Sequence, residues 1–421
     1  MKLGKHLQQP ESRDCLDRIS ALPDELLGHM LSFLPTKCAV STSVLSTRWR
    51  YLFTLITCLF FKDEPCFGST KECKEREAAR KIKFKKFVDN VLNLHKTSPI
   101  NKFRLVCRTS YDNSDFNRWV TTAAQKGVQD LYYQVSVEKG YLLPDSLVMC
   151  ETLVRLELRV YGSEIKLPLP AFLPKLKILH LENVDFFDYD SIKRLFSGCK
   201  LLEEFHLNSS KCDNSGHVII SFGLLKILKV DNCCFEKGLF EIDAPNLAHL
   251  SYNSNFGVRI IPSWNDTCSL VTADLGFDHD KGDYCEDLLD YDLEVLTTAA
   301  YQTTVLCLSS DSIEVLLRQA DFRKMADFHK LSKLYISGCR HCPFEDWLCV
   351  TSLLDKFPNL ETIFLDWELS CIYCDPTSCP VIPAIPDSCP VKLIQVECGC
   401  SHVCLLRPPF NFRSFPVIQL C

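Results

Sequence analysis

Cysteines and histidines at short intervals are the residues of this chain whose types and spacing could do chemistry. Cys371-x-x-Cys374 is followed by Cys398-x-Cys400, His402 and Cys404, the thiolate and imidazole donors that hold a structural zinc ion. The two pairs are separated by 23 residues and the second is C-x-C, a spacing that does not match a regular zinc ribbon. Cys339, His341 and Cys342 form a smaller group without a further ligand in step. Asp278, Asp280 and Asp283 raise the chemistry of a calcium loop, but the glycine stands at the fifth position instead of the sixth and no ligand pattern follows. An enzyme would need a nucleophile, an acid–base pair or a phosphate loop. The sequence holds no G-x-S-x-G, G-x-x-x-x-G-K-[ST], H-E-x-x-H or G-x-G-x-x-G. The expectation is therefore no catalytic residue, no cofactor and no metal.

Composition sets the wider limits. The chain has 421 residues, 47% of them hydrophobic and 24% charged, with a net charge of −6, which suits a chain that buries a real core. An acidic balance argues against nucleic-acid binding through a global positive field. The first fourteen residues hold no apolar run fit for a secretory leader, and LFTLITCLFF at 52–61 is too short to span a bilayer. No membrane partner is expected, and the chain is placed in the nucleus or cytoplasm. The 25 cysteines, in a reducing compartment, are expected mostly as small buried hydrophobes, as in LVCRT and VLCLS.

The elements that would position any binding residues fall into two kinds. Residues 22–34 carry Leu26, Leu27, Met30, Leu31 and Leu34 on a helical rhythm. Pro23 suits the first turn, Asp24 and Glu25 sit at the positive end of the helix dipole, and Pro35 ends the segment. Thr36 is placed to cap a second short helix through Cys38, Ala39 and Val40, and Ser46 a third carrying Trp49, Leu52 and Phe53. Such a unit is marginal alone. Its apolar stripe either seals the end of a larger array or meets a partner.

Behind it runs a recurring apolar-x-x-apolar-x-apolar pattern: LVRLEL from Leu153, LKILHL from Leu176, LEEFHL from Leu202, LKILKV from Leu225, LAHLSY from Leu247 and LVTADL from Leu270. The steps are 23, 26, 23, 22 and 23 residues, the spacing of leucine-rich repeats. Further copies start at Leu331 and Leu360, and degenerate ones at Ile100, Val128 and Thr303. Each repeat supplies a short strand and a loop or helix that returns the chain, with SIKRLFSGC (191–199) and CVTSLLDKFP (349–358) as return helices. Stacked repeats bury a continuous core and present a concave strand face for another protein. The spacing predicts a break after Leu275, where residues 274–294 hold nine acids and one lysine and form a solvated insertion. Residues 71–95 read as a charged segment joining the two parts, with Ile82, Phe87, Val88, Val91 and Leu92 on its apolar side and its lysine run on a solvated face.

The residues DRISALPDELLGHMLSFLPTKCAVSTSVLSTRWRYLF resemble the F-box of the plant F-box/leucine-rich-repeat/FBD family. The match runs through Asp17–Ser20, Leu22–Leu27, Leu31–Lys37, Thr42–Ser46 and Arg48–Arg50. Met30 stands where the family usually has Ile, and Phe53 where Trp is common. VIPAIPDSCPVKLIQVECG resembles the opening of an FBD domain, whose continuation is missing from the residues that follow. The resemblance implies a mixed α/β chain: a three-helix F-box, a leucine-rich-repeat solenoid with a curved sheet, and a short Cys-rich FBD-like tail. The corresponding spans are a disordered 1–14, the F-box at 15–61, a linker helix at 62–99, repeats at 100–370 and the tail at 371–421. It implies docking on a Skp-type adaptor, and through it on a cullin and a RING subunit, with the repeats holding an unknown protein substrate for ubiquitination. Carried over, Leu22, Pro23, Leu26, Leu27 and Leu31 form the adaptor-binding face, and Val44, Leu45 and Trp49 the F-box core. Two alternatives stay open: a non-degradative repeat scaffold, and a small-molecule co-receptor with a basic pocket on the concave face.

Overall fold

Every hexad found in the sequence becomes a strand that begins two residues after its first apolar position. In the computed structural model, Leu153 leads into Arg155–Tyr161, Leu176 into Ile178–Glu182, Leu202 into Glu204–Asn208 and Leu225 into Ile227–Asp231. The degenerate copies obey the same offset, giving Lys102–Val106, Asp130–Ser136 and Val305–Ser309. The structure describes residues 18–367, apart from short breaks and the longer stretches 262–269, 277–300, 314–326 and 338–353, together with 393–398 and 418–420.

The strands form one 14-stranded parallel sheet in sequence order. Alternation decides its two faces. Second and fourth strand positions, such as Leu156 and Leu158, Leu179 and Leu181, Phe205 and Leu207, are buried, while the odd positions stay partly exposed. Left-handed corners at Asn183 (φ 53°), Ser209 (φ 48°) and Asn232 (φ 54°) each follow the last residue of a strand. Their amides continue the ladder onto Asn208, Asp231 and Asn253 carbonyls, so the corner and the stacking are set together.

The stack does not break after Leu275. Thr272–Gly276 pairs directly with Val305–Ser309, with Leu275 opposite Leu308. The insertion lengthens the connection and leaves the register intact; its residues 277–300, with the aspartates weighed as a calcium loop, lie outside the described residues. The helix expected at 191–199 is present as Tyr189–Ser197, capped by the Asp188 carboxylate accepting from the Ser191 amide at 2.6 Å. In the next repeats the chain returns by strands instead of helices: Gly216–Ser221, Gly238–Asp243 and Val258–Ile261 build one of two small three-stranded parallel sheets, the other being Tyr141–Leu142, Glu164–Lys166 and Asp185–Phe186. β-Branched runs such as HVIIS favour that outcome. Tyr189 lies over its first edge, where a Cβ on Gly238 would collide with the Gly216 carbonyl oxygen and the Tyr189 hydroxyl.

Of the return helix expected at 349–358, most lies outside the described residues, though Leu354 and Phe357 are buried. In the tail the VKLIQVE run supplies the strand Leu393–Cys398, which pairs with Thr362–Trp367, and Ile418–Leu420 adds beyond it. The candidate zinc ligands Cys371, Cys374, Cys400, His402 and Cys404, and the group Cys339, His341 and Cys342, lie outside the described residues.

The cassette and the sheet overlap in sequence. The helix α1 (Asp24–Leu31), helix α2 (Thr36–Ser41) and 3-10 segments Thr42–Val44 and Trp49–Leu55 lead straight into strand β1 (Cys58–Lys62). β1 pairs with β2 (Lys102–Val106), which pairs with β3 (Asp130–Ser136). The sheet thus starts inside the span assigned to the cassette. Helix α3 (Lys71–Leu94) connects two adjacent parallel strands and is the first return helix, not a linker. Val88, Val91 and Leu92 are buried as expected, whereas Ile82 is 57% exposed. Two of its lysines are paired, Lys81 with Glu77 along the helix and Lys85 with buried Asp115.

Helix α4 (Asn113–Gln125) packs on α3. Trp119 is fully buried among Phe84, Tyr111 and Phe116, and its indole N–H donates to Asp89 Oδ1 at 2.7 Å. Arg118 joins the same carboxylate to Asp115. His95, at the end of α3, ties this layer to the cassette: its Nε2–H donates to the Ile56 carbonyl at 2.6 Å, while buried Nδ1 has no hydrogen-bond partner.

Burial lowers the His95 pKa, the Ile56 bond opposes that, and Lys126 adds to it. The unfolded chain then binds the proton more readily than the folded one. The stability contributed by neutral His95 is complete above the ordinary value of about 6.5 and falls away as pH drops below it. The urea midpoint of the chain is expected to fall between pH 7.5 and 5.5 by more than that of a His95→Gln variant, which keeps a donor but does not titrate. Equal falls would remove His95 as the cause.

Candidate functional site

Two surfaces are left facing outward by this architecture. The first belongs to the cassette. Leu27, Leu31, Ala39, Leu52, Phe53 and Ile56 are buried and continuous with the solenoid core. Gly28 lets α1 approach the Trp49–Leu55 segment, since a Cβ there would stand 2.8 Å from Leu55 Cβ. Arg48 locks the cassette by pairing with Asp24 and with the Leu22 carbonyl. Pro23 precedes α1 as its cap residue and its carbonyl accepts from the Leu27 amide at 3.1 Å. Thr36 does not cap α2. Its Oγ1 accepts the Phe60 amide at 2.7 Å, so it occupies an N–H on the outer edge of β1 that would otherwise be free to recruit another strand. Ser46 likewise provides no cap, and the Trp49–Leu55 segment is a 3-10 helix without a side-chain cap bond.

The eight residues assigned to this cassette divide differently from expectation. Pro23 and Leu26 are exposed and Leu22 is half-buried, consistent with an outward face. Leu27 and Leu31, placed on that face, are 0% and 3% exposed and belong to the core. Val44 and Leu45, placed in the core, are 85% and 65% exposed. Trp49 is half-buried and packs against the core, as assigned. The reason is that α1 carries two adjacent apolar stripes, Leu26 with Met30 and Leu27 with Leu31, and periodicity does not say which one turns inward. Met30 at 50%, Phe33 at 75% and Tyr51 at 57% exposed join the outward set. The cassette thus leaves several large apolar side chains in water, as partner sites do.

The second surface is the odd-position face of the large sheet. In-register pairing places one residue per strand in a single row: Phe60, Arg104, Tyr132, Glu157, His180, His206, Lys229, Ser251, Asp274, Cys307, Tyr335 and Phe364. Neighbours in the row touch. Arg104 lies over Tyr132 at 4.6 Å, and Arg159 reaches the same ring at 5.5 Å. Tyr335 and Phe364 stack at 4.1 Å, and so do His180 and His206 at 3.9 Å. Burial and then the neighbouring His180 push the His206 pKa down to about 4, and burial raises Asp274. Each end of the row is aromatic and its middle is polar and ionisable. Such a surface recognises side chains and is suited to binding a polypeptide.

Neither His180, Glu204 nor His206 stood out in the sequence, because 24 or 26 positions separate His180 from the other two. Superposing LKILHL on LEEFHL was the available signal: it sets both histidines in the same slot of adjacent repeats.

A repeat solenoid whose first strand is sealed by a small helical cassette with an outward apolar face defines a modular protein-interaction molecule. Residues 19–60 match the F-box domain, and residues 116–264 match the family described as FBD-associated F-box protein At5g56370, LRR repeats. F-box/LRR-repeat protein At4g14103 of Arabidopsis thaliana is 31% identical over 364 residues, covering 82% of this chain and 91% of the relative. F-box/LRR-repeat protein At3g59190 of the same plant is 32% identical over 378 residues, covering 83% and 92%. The chain belongs to the plant F-box/LRR-repeat family. Its F-box and repeats give it a role in protein interaction, in which the F-box implies binding of a Skp-type adaptor and the repeats binding of protein substrates.

Proposed function

We propose that this chain is the target-recognition subunit of an SCF-type ubiquitin ligase. The cassette holds the adaptor, which connects it to a cullin and a RING subunit, and the row on the large sheet holds the protein to be ubiquitinated. The chain itself contributes no catalytic group; it raises the concentration of target beside the conjugating enzyme. It works in the nucleus or cytoplasm, where the other subunits and a reducing environment for its free thiols are found.

The observation that carries this reading is the outward apolar set on a cassette whose own core is already satisfied by the solenoid. A helical lid that only sealed β1 would have no need of Leu26, Met30, Phe33, Val44 and Leu45 in water, and helix-to-helix apolar docking gives them a use. Capture of purified adaptor and cullin by the wild type and by Leu22→Ala/Pro23→Ala tests it. The double variant is expected to recover clearly less of both. Unchanged recovery would sink the docking assignment of those two residues, and no capture by the wild type would sink the ligase reading.

A further inference from the structure

We propose that His180, Glu204 and His206 form a divalent transition-metal site, of the kind that suits zinc, near the middle of the row on the outward face of the large sheet. The three side chains project from adjacent parallel strands on the same face, and one ligand atom from each lies within 4.8 Å of the others. His180 Nε2 stands 2.8 Å and His206 Nε2 3.1 Å from Glu204 Oε1. A tetrahedral zinc ion with ligand bonds near 2.05 Å needs its donors about 3.3 Å apart. The carboxylate has only a few tenths of an ångström to move from each nitrogen, on the order set by those bond lengths. One ring must also turn out of the stack to aim its lone pair at the ion.

Two observations point to a ligand instead of a self-contained cluster. His206 Nε2 is shielded from solvent and makes no hydrogen bond, despite its closeness to Glu204. Buried polar atoms are normally satisfied, and one left open at a ligand-rich position calls for a partner. A carboxylate also stands near the outer nitrogen of His180. Glu157, held by Arg155 at 2.6 Å, lies 3.8 Å from His180 Nδ1. When metal replaces the proton on His180 Nε2, the neutral ring carries its proton on Nδ1, and Glu157 must close from 3.8 Å to accept it in the carboxylate–histidine arrangement that orients metal ligands. No net proton is lost from the ring in that exchange. The two carboxylates Glu157 and Glu204 balance a dipositive ion beside Lys229, the next residue in the row.

Two imidazoles and one carboxylate leave a coordination position open, as catalytic and exchangeable sites do. On this face the open position looks toward whatever the repeats hold, and an imidazole, thiolate or carboxylate of the bound protein could fill it. The inference rests on the repeats alone and stands or falls separately from adaptor docking.

Cobalt titration of the reduced, full-length chain tests it, because cobalt reports its ligands. Expected are ligand-field bands of a nitrogen–oxygen site, saturating at one equivalent, alongside any thiolate charge-transfer bands from cysteines. Zinc is expected to displace those bands. His206→Gln and Glu204→Gln should each weaken cobalt binding at that site by at least about tenfold, while His249→Gln, elsewhere on the same face, should leave it unchanged. Circular dichroism checks that each variant is folded, and the wild-type spectrum decides alone if they are not. A spectrum with thiolate bands only, or bands that persist undiminished in both folded variants, would overturn the proposal.

Discussion

Placing aspartate at Val44 and Leu45 together is expected to abolish capture of a Skp-type adaptor while leaving the chain as stable as before. Both side chains are mostly in water, at 85% and 65% exposure, so the free chain loses little packing. Surface changes of this kind usually stay within about 0.5 kcal/mol, which corresponds to about 2 °C or less in melting temperature for a chain this long. In a complex the same positions would be desolvated against apolar partner groups. Burying one carboxylate without a partner costs several kcal/mol on the order of protein mutational data, and two such charges should weaken binding by more than about a hundredfold. The measurement is a pair: adaptor affinity by titration, and the thermal midpoint of the same preparation. An unchanged affinity would place the docking face elsewhere on the cassette, and a large drop in midpoint would return Val44 and Leu45 to the core.

Replacing Trp119 by alanine should have the opposite signature, a large loss of stability. The ring is fully buried and contacts three aromatic side chains of α3, α4 and the segment between β2 and α4. Deleting a buried aromatic of this size costs about 3–5 kcal/mol. Its indole N–H is also one of two donors to Asp89, the other being Arg118. Trp119→Phe keeps much of the volume but loses the donor and part of the ring, so it should cost less than alanine, about 1–3 kcal/mol. Because repeats couple mainly to their neighbours, amide exchange in α3 and β2 should accelerate most, with less change beyond the strand Glu204–Asn208. A loss under about 1 kcal/mol in Trp119→Ala, within the ordinary run of substitutions, would mean that this aromatic cluster does not hold the first repeats together.

The strands were legible because their signal is local. An apolar residue at each inward position and a constant offset suffice, and even Thr303 and Ile100 obey it. What could not be read was pairing between distant parts of the chain. Helix α3 looks like a connector in sequence, since nothing in its residues states that β1 before it and β2 after it are neighbours. The break after Leu275 is visible in spacing and invisible in the sheet, because an insertion changes a path without changing a register. The cassette failed for a different reason. Leu26 and Leu27 differ by one position and have identical chemistry, and only the arrival of the Trp49–Leu55 segment against α1 decides which is inside. His180, Glu204 and His206 meet through in-register stacking, so their closeness is a property of the sheet alone.

The bond from the Phe60 amide to Thr36 Oγ1 has one more consequence. It removes the hinge that a two-module chain would be expected to have. The cassette and the row on the large sheet share a single core from Leu27 to Ile363, so anything seated on one is held at a set bearing from anything seated on the other. Successive strands advance by about 4.8 Å, and the row from Phe60 to Phe364 therefore works as a graduated ruler about 50 Å long before curvature. Where along it a target rests would decide which of its surface groups come within range of machinery mounted at the cassette. Reach, in such a molecule, is written in repeat number.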